Sequence, residues 1–165
     1  MHQDALEELY RAHYRPALLY VLSLCGDMAR AEDVVSQAFE IALMAPDGEV
    51  REFRSWLLPV CRPLGLDEVR RERRRHPLPP EELPLALPED ALASVLAEER
   101  SAALYRALGR LPPKQRELIA LFYFAGLPLT RSAALTATTH AAAKTALCRA
   151  RARLRHIMEE DGYGI

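Results

Sequence analysis

The sequence is poor in the residues that build many-turned or cross-linked folds. Among 165 residues there are seven glycines, and aromatic residues make up 7%, too few for a β-fold with a turn every few residues. Three cysteines, Cys25, Cys61 and Cys148, stand far apart with no CxxC pair and no neighbouring histidine pair, so neither a disulfide framework nor a zinc site is expected, and the thiols should be reduced and mostly buried. The longest stretch without a charged residue, residues 118–130, is short and carries Pro128, which excludes a bilayer-spanning helix. The first ten residues, MHQDALEELY, lack the pattern of a secretory leader, so a cytoplasmic protein is expected, without membrane insertion. The five histidines are scattered and no phosphate-cradling glycine loop is present. No catalytic residue, metal, cofactor or small-molecule substrate is therefore expected, and the chain is not read as an enzyme.

What the sequence does have is charge segregation. A net charge of −1 conceals a basic run, RRERRR at residues 70–75, and a basic stretch after Lys144, with Glu81, Glu82, Glu89, Asp90, Glu98 and Glu99 between them. The segment HPLPPEELPLALPED, residues 76–90, holds five of the twelve prolines and no clear helical period, and reads as an extended linker between two domains, residues 1–75 and 91–165.

Both domains read as helical, an all-α protein. Leu6, Tyr10, Ala17, Val21 and Leu24 recur at helical spacing over residues 4–24, with a kink expected at Pro16. Gly26 and Asp27 supply a break and an N-cap for a helix whose inner face carries Ala31, Val34, Val35, Ala38, Phe39 and Ala42. A third helix begins near Val50 with Phe53, Trp56, Leu57 and Val60 at core spacing. Pro59 and Pro63 are expected to break it, since each removes an intrahelical bond. After the linker, an Ala/Leu-rich helix ends near Gly109, and a helix opens on Pro112 and Pro113 and closes at Gly126 and Pro128. A short segment, residues 130–136, leads through a Thr-rich turn into a last helix from about His140, where Leu147, Ala150, Leu154 and Ile157 form an apolar stripe and Lys144, Arg151 and Arg155 share a cationic face. Short helix, turn and basic amphipathic helix are the parts of a helix-turn-helix.

At these residues the sequence resembles the extracytoplasmic-function sigma factors of bacterial RNA polymerase. GDMARAEDVVSQAFEIAL (residues 26–43) is similar to that family's polymerase-docking helix, and FRSWLLPVCRPLGLDEVRRERRR (residues 53–75) to its promoter-melting, −10-reading segment. LGRLPPKQRELIALFYFAGLPL (residues 108–129) and KTALCRARARLR (residues 144–155) resemble the domain that reads the −35 element. The resemblance implies two small helical domains, of region 2 and region 4 type. It also implies docking on core RNA polymerase through Glu32, Asp33, Ser36, Gln37 and Glu40, and promoter DNA contacts by Arg54, Arg62, Arg70, Arg71, Arg74, His140, Lys144, Thr145, Arg149 and Arg151. An anti-sigma factor is a further implied partner, and regulation by an extra C-terminal domain in cis is not expected after Ile165. Some positions depart from the family's pattern. Ser36 and Gln37 stand where Gln then Glu is usual, Pro59 and Pro63 where a polar residue and Asn are, Ala137 replaces the turn glycine, and Ser132, Ala142, Ala143 and Ala146 replace larger residues. These departures raise an alternative, a sigma-like protein that binds polymerase or another protein without reading promoters by itself.

Overall fold

The computed structural model describes residues 3–45, 52–75 and 99–163. The proline-rich segment read as a linker lies outside the described residues. Among them the secondary structure is helical throughout, in seven helices: α1 (Gln3–Cys25), α2 (Met28–Met44), α3 (Phe53–Arg75), α4 (Glu99–Leu108), α5 (Pro113–Ile119), α6 (Leu129–Leu135) and α7 (His140–Glu160). A five-residue π turn, Ala120–Phe124, extends α5.

Helices α1, α2 and α3 pack on one another. Asp27 caps α2 as its spacing predicts, its carboxylate accepting from the Arg30 amide at 3.2 Å, while Gly26 turns the chain at φ 69°. All six residues predicted for the inner face of α2 are buried. An aromatic file runs through this unit: Tyr10 lies 4.7 Å from Tyr14 and 4.9 Å from Phe39, Phe39 lies 5.5 Å from Phe53, and Phe53 lies 5.8 Å from Trp56. Gly65 sets the spacing of α3 on α1, since a Cβ there would sit 3.1 Å from Leu24 Cδ1.

The expected break in α3 does not occur. The helix runs unbroken through Pro59 and Pro63, and its opposite side packs against α1 and α2 through Phe53, Leu57, Leu58, Cys61 and Gly65. The reason is placement. Four residues apart, both prolines lie on one exposed face, so the carbonyls deprived of a partner, those of Ser55 and Pro59, lie toward solvent where water can satisfy them. Pro16 likewise sits inside a continuous α1.

In the second half α5, α6 and α4 pack against α7, whose buried side carries Ala143, Leu147, Ala150, Leu154, Ile157 and Met158 and so includes the whole predicted stripe. Thr139 caps α7, accepting from the Ala142 amide at 3.1 Å. The turn before it holds Ala137 at φ 56°, the left-handed region, where the family's usual glycine would sit without strain. Ser132 is fully buried, and its hydroxyl donates to the Leu127 and Pro128 carbonyls at 3.1 Å each.

The two halves share one core. Residues 17–22 of α1 are all buried, Tyr20, Val21 and Leu22 completely, because this stretch is covered by α2 and α3 on one side and by α5 with its π turn on the other.

Two stability measurements follow from these placements. Replacing Pro63 with Ala should raise the unfolding free energy by about 1 to 3 kcal/mol, because it restores a helix bond on an exposed face. Ala137→Gly should raise it by ~0.5 to 1 kcal/mol by relieving the positive φ, net of glycine's greater chain entropy. Denaturant unfolding monitored by circular dichroism checks both; a loss of stability in either variant would contradict the account.

Candidate nucleic-acid interface

The residues with implied roles fall on three surfaces. On α2, Glu32, Asp33, Ser36, Gln37 and Glu40 are all exposed on the face opposite the core. That acidic and polar face runs into an apolar end, where Ile41, Leu43 and Met44 are 42%, 43% and 84% exposed. Gln37, Glu40, Ile41 and Met44 line a shallow groove with Trp56 of α3. The apolar component was missed from the sequence, because the eye follows the buried stripe, yet IALM at the helix end has more apolar residues than one stripe can absorb.

Helix α3 splits its arginines. Arg70 and Arg71 are exposed and, among the described residues, paired within their own helix, with Asp67 at 2.9 Å and Glu68 at 3.1 Å; Arg74 is exposed. Such pairs are worth little and yield readily to a phosphate. Arg54 and Arg62 face the second half instead. Arg54 is half-buried against Gly126, where a Cβ would approach its guanidinium to 2.6 Å, and the φ of 72° at this position favours glycine. Arg62 forms a two-pronged pair with Glu117 of α5, Nε donating to Oε2 at 2.8 Å and an Nη to Oε1 at 3.2 Å.

Glu117 is the centre of this junction. Its carboxylate is 10% exposed, and beyond Arg62 it accepts the Tyr20 hydroxyl of α1 at 2.6 Å. Burial, then the neighbouring carboxylate, pushes the Tyr20 phenol far above its ordinary value, so it stays a donor at any physiological pH, and the bond to Glu117 raises the Arg62 guanidinium further. Tyr105 of α4 donates to the Leu19 carbonyl nearby, and Arg131 pairs with Glu52 at 3.4 Å across the same seam. None of these partnerships could be read from the sequence, where Glu117 lies 97 residues from Tyr20 and 55 from Arg62.

The third surface is the outer face of α7. His140, Lys144, Thr145 and Arg149 are exposed along its first half, the Thr145 hydroxyl turned back onto the Ala141 carbonyl at 3.1 Å. Arg151 is exposed but engaged: it donates to the Tyr123 hydroxyl and lies 5.2 Å from that ring's centre. A cleft of about 790 Å³ opens between this face, the start of α5 and the end of α3, with Arg73, Lys114, Thr145 and Arg149 in its walls. Cations of α3 and α7 thus face one space. The outer face of α7 presents cationic and hydroxyl side chains, while Ala142 and Ala146 offer only methyl groups. Among the described residues no helix is long and apolar enough to cross a membrane.

Residues 9–75 match the family Sigma-70 region 2, and residues 101–154 match Sigma-70, region 4. The chain is 31% identical over 166 residues to the ECF RNA polymerase sigma factor BldN of Streptomyces coelicolor, an alignment covering 96% of this chain and 62% of that protein. It is 33% identical over 115 residues to the ECF RNA polymerase sigma factor SigL of Mycobacterium tuberculosis, covering 58% and 65%. The chain therefore spans less than two thirds of either relative. Among solved structures, the sigma factor RpoE in complex with the anti-sigma factor NepR from Bartonella quintana matches with a TM-score of 0.69 at 22% identity, over 96% of this chain and 98% of that one. CnrH in complex with the cytosolic domain of CnrY matches at 0.66 with 25% identity, over 97% and 91%.

The junction around Glu117 yields a prediction. Glu117→Gln should lower stability by about 2 kcal/mol, since Arg62 then keeps its burial and loses its counter-charge, whereas Tyr20→Phe should cost ~1 to 2 kcal/mol by removing one hydrogen bond to a charged acceptor. In a double-mutant cycle the two losses should fall short of additivity. Strict additivity in urea unfolding would mean that the three groups do not act together.

Proposed function

The chain belongs to the sigma-70 family, in its extracytoplasmic-function group, and from that premise we propose that it binds core RNA polymerase in the cytoplasm and directs it to promoter DNA. It carries out no covalent step of its own. The observation that supports the reading most is the order of the parts: a region 2 match whose α2 offers an acidic face, followed by a region 4 match whose α6 and α7 form a helix-turn-helix with a cationic outer face. On this reading residues 1–75 dock on polymerase and read the −10 element, residues 91–165 read the −35 element, and residues 76–90 connect them.

Docking is assigned to Glu32, Asp33, Ser36, Gln37 and Glu40, with the exposed Ile41, Leu43 and Met44 adding apolar area beside them. DNA phosphates are assigned to Arg70, Arg71 and Arg74 on α3 and to His140, Lys144, Thr145, Arg149 and Arg151 on α7. Arg62 completes the set only where the contact between the halves opens, because Glu117 otherwise occupies its guanidinium, and Arg54 is covered in the closed arrangement where it lies against Gly126. An anti-sigma factor is a proposed partner, since both solved relatives named above are held in complexes, one with an anti-sigma factor and one with a cytosolic domain. The alternative of a sigma-like protein without promoter reading is not favoured. An unbroken α3 weakens one of its grounds, and its remaining ground is the alanine content of the helix-turn-helix.

Transcription from a cognate promoter by purified core enzyme tests the reading, and two variants divide it. Asp33→Lys should weaken association with core about tenfold, ~1.4 kcal/mol, with no loss of stability, since the side chain is exposed. Lys144→Ala should weaken binding about equally to promoter and scrambled duplexes and flatten the log–log salt dependence by roughly one unit. Unchanged core affinity in the first variant refutes the docking face; a loss confined to promoter DNA in the second refutes the phosphate role.

A further inference from the structure

Beneath the contact between the halves lies a second, smaller cavity of about 270 Å³, with four cationic side chains among apolar ones in its walls. Arg62 and Arg73 enter it from α3, Lys114 and Arg116 from α5, and Glu117 is the carboxylate among its lining residues. Glu117 is already matched by Arg62 and Tyr20. The remaining three cations have no ion-pair partner among the described residues.

Arg116 is the decisive member. It is 7% exposed, one Nη donates to the Leu111 carbonyl at 3.3 Å, and its Nε is buried with no hydrogen-bond partner. A guanidinium with a single neutral acceptor, buried beside an open space and without a counter-ion, is costly unless an anion occupies that space. Burial lowers its basicity, yet an arginine retains its proton, and the charge is met by no carboxylate among the described residues. The rim supplies the entry: Arg73 and Lys114 are exposed and also line the larger cleft beneath α7, so the two spaces meet at these residues.

We propose that this cavity between α3 and α5 is a binding site for a phosphoryl anion, held by Arg116 within and by Arg73 and Lys114 at its mouth. Arginine and lysine together suit a tetrahedral oxyanion, the guanidinium by paired donors and the ammonium as a point charge. Because the walls come from both halves, a bound anion stabilises the contact between them.

The experiment is calorimetric titration of the full chain with inorganic phosphate and with pyrophosphate, at ionic strength held constant with chloride, in the absence of polymerase and promoter. Wild type should bind one anion saturably and show a matching rise in melting temperature. The exposed pair Arg73→Gln with Lys114→Gln, which leaves the interior intact, should weaken that binding at least tenfold, and Arg116→Gln, checked for folding by circular dichroism, should abolish it. No saturable binding by wild type, or binding untouched by the rim pair, overturns the site. Adding random-sequence duplex at the same ionic strength identifies the source of the phosphoryl group. If duplex displaces phosphate, the site takes the DNA backbone; if phosphate stays bound, it takes a free anion. Failure of promoter-directed transcription would leave these measurements unaffected, so this site and the proposed function fail separately.

Discussion

One carboxylate ties this molecule together. Glu117 sits on a short helix of the second half, nine-tenths withdrawn from water, and a charge in that position is tolerable only with a counter-charge and saturated hydrogen bonds. Those come from elsewhere in the chain: a guanidinium from α3 and a phenol from α1. The requirement fixes α5 relative to both helices, which in turn covers the side of α1 that α2 and α3 leave bare. Removal of the ion would not merely delete a contact. It would leave Tyr20 and Arg62 facing a space shaped for an acceptor.

This arrangement explains why some of the fold was legible in the sequence and some was not. Helices with one covered face announce themselves by period: the six inner residues of α2 and the stripe of α7 were readable from spacing alone, as was the cap at Asp27. Helix α1 has two covered faces, so its period dissolves into a run, residues 17–22, in which every position is buried. That run was the available signal of a second contact, and nothing in it named the partner. The prolines of α3 misled for a different reason. The cost of an interior proline is a cost of unsatisfied carbonyls and steric crowding, and it depends on which face holds them, which the spacing of four residues encodes but a rule about helix interiors ignores. The π turn after Ile119 gave no sequence signal. It ends at Phe124, two residues before Gly126, where the chain turns with positive φ beside the Arg54 side chain.

The site was legible to a similar, uneven degree. Local features, the acidic face of α2 and the basic face of α7, could be drawn from residue type and angle, and both are exposed as spacing requires. The apolar end of α2 and the inward turn of Arg54 and Arg62 could not, since they depend on what lies opposite. Resemblance assigns both arginines to DNA by their position in a motif. In the structure Arg62 is engaged by Glu117, and Arg54 is half-buried beside Gly126.

These two assignments exclude each other, and the exclusion has a consequence for how the parts work together. A phosphate gripped by Arg62 competes with Glu117 for the same donors, and Glu117 cannot give them up while it stays buried between α1 and α3, because its charge would then be unmet. Use of Arg62 on DNA therefore requires α5 to leave α1, which exposes residues 17–22 on one side and uncovers Arg54 at the same time. The cost of exposing that apolar surface would be drawn from the free energy of any DNA binding, so phosphate contacts by Arg54 and Arg62 would be coupled with opposite sign to the closed contact between the halves. Arg70, Arg71 and Arg74 carry no such penalty, being exposed already, and neither does the outer face of α7. The molecule thus holds two classes of cation: those that can meet a phosphate in the closed arrangement, and those that meet one only after the carboxylate at its centre has been released into water.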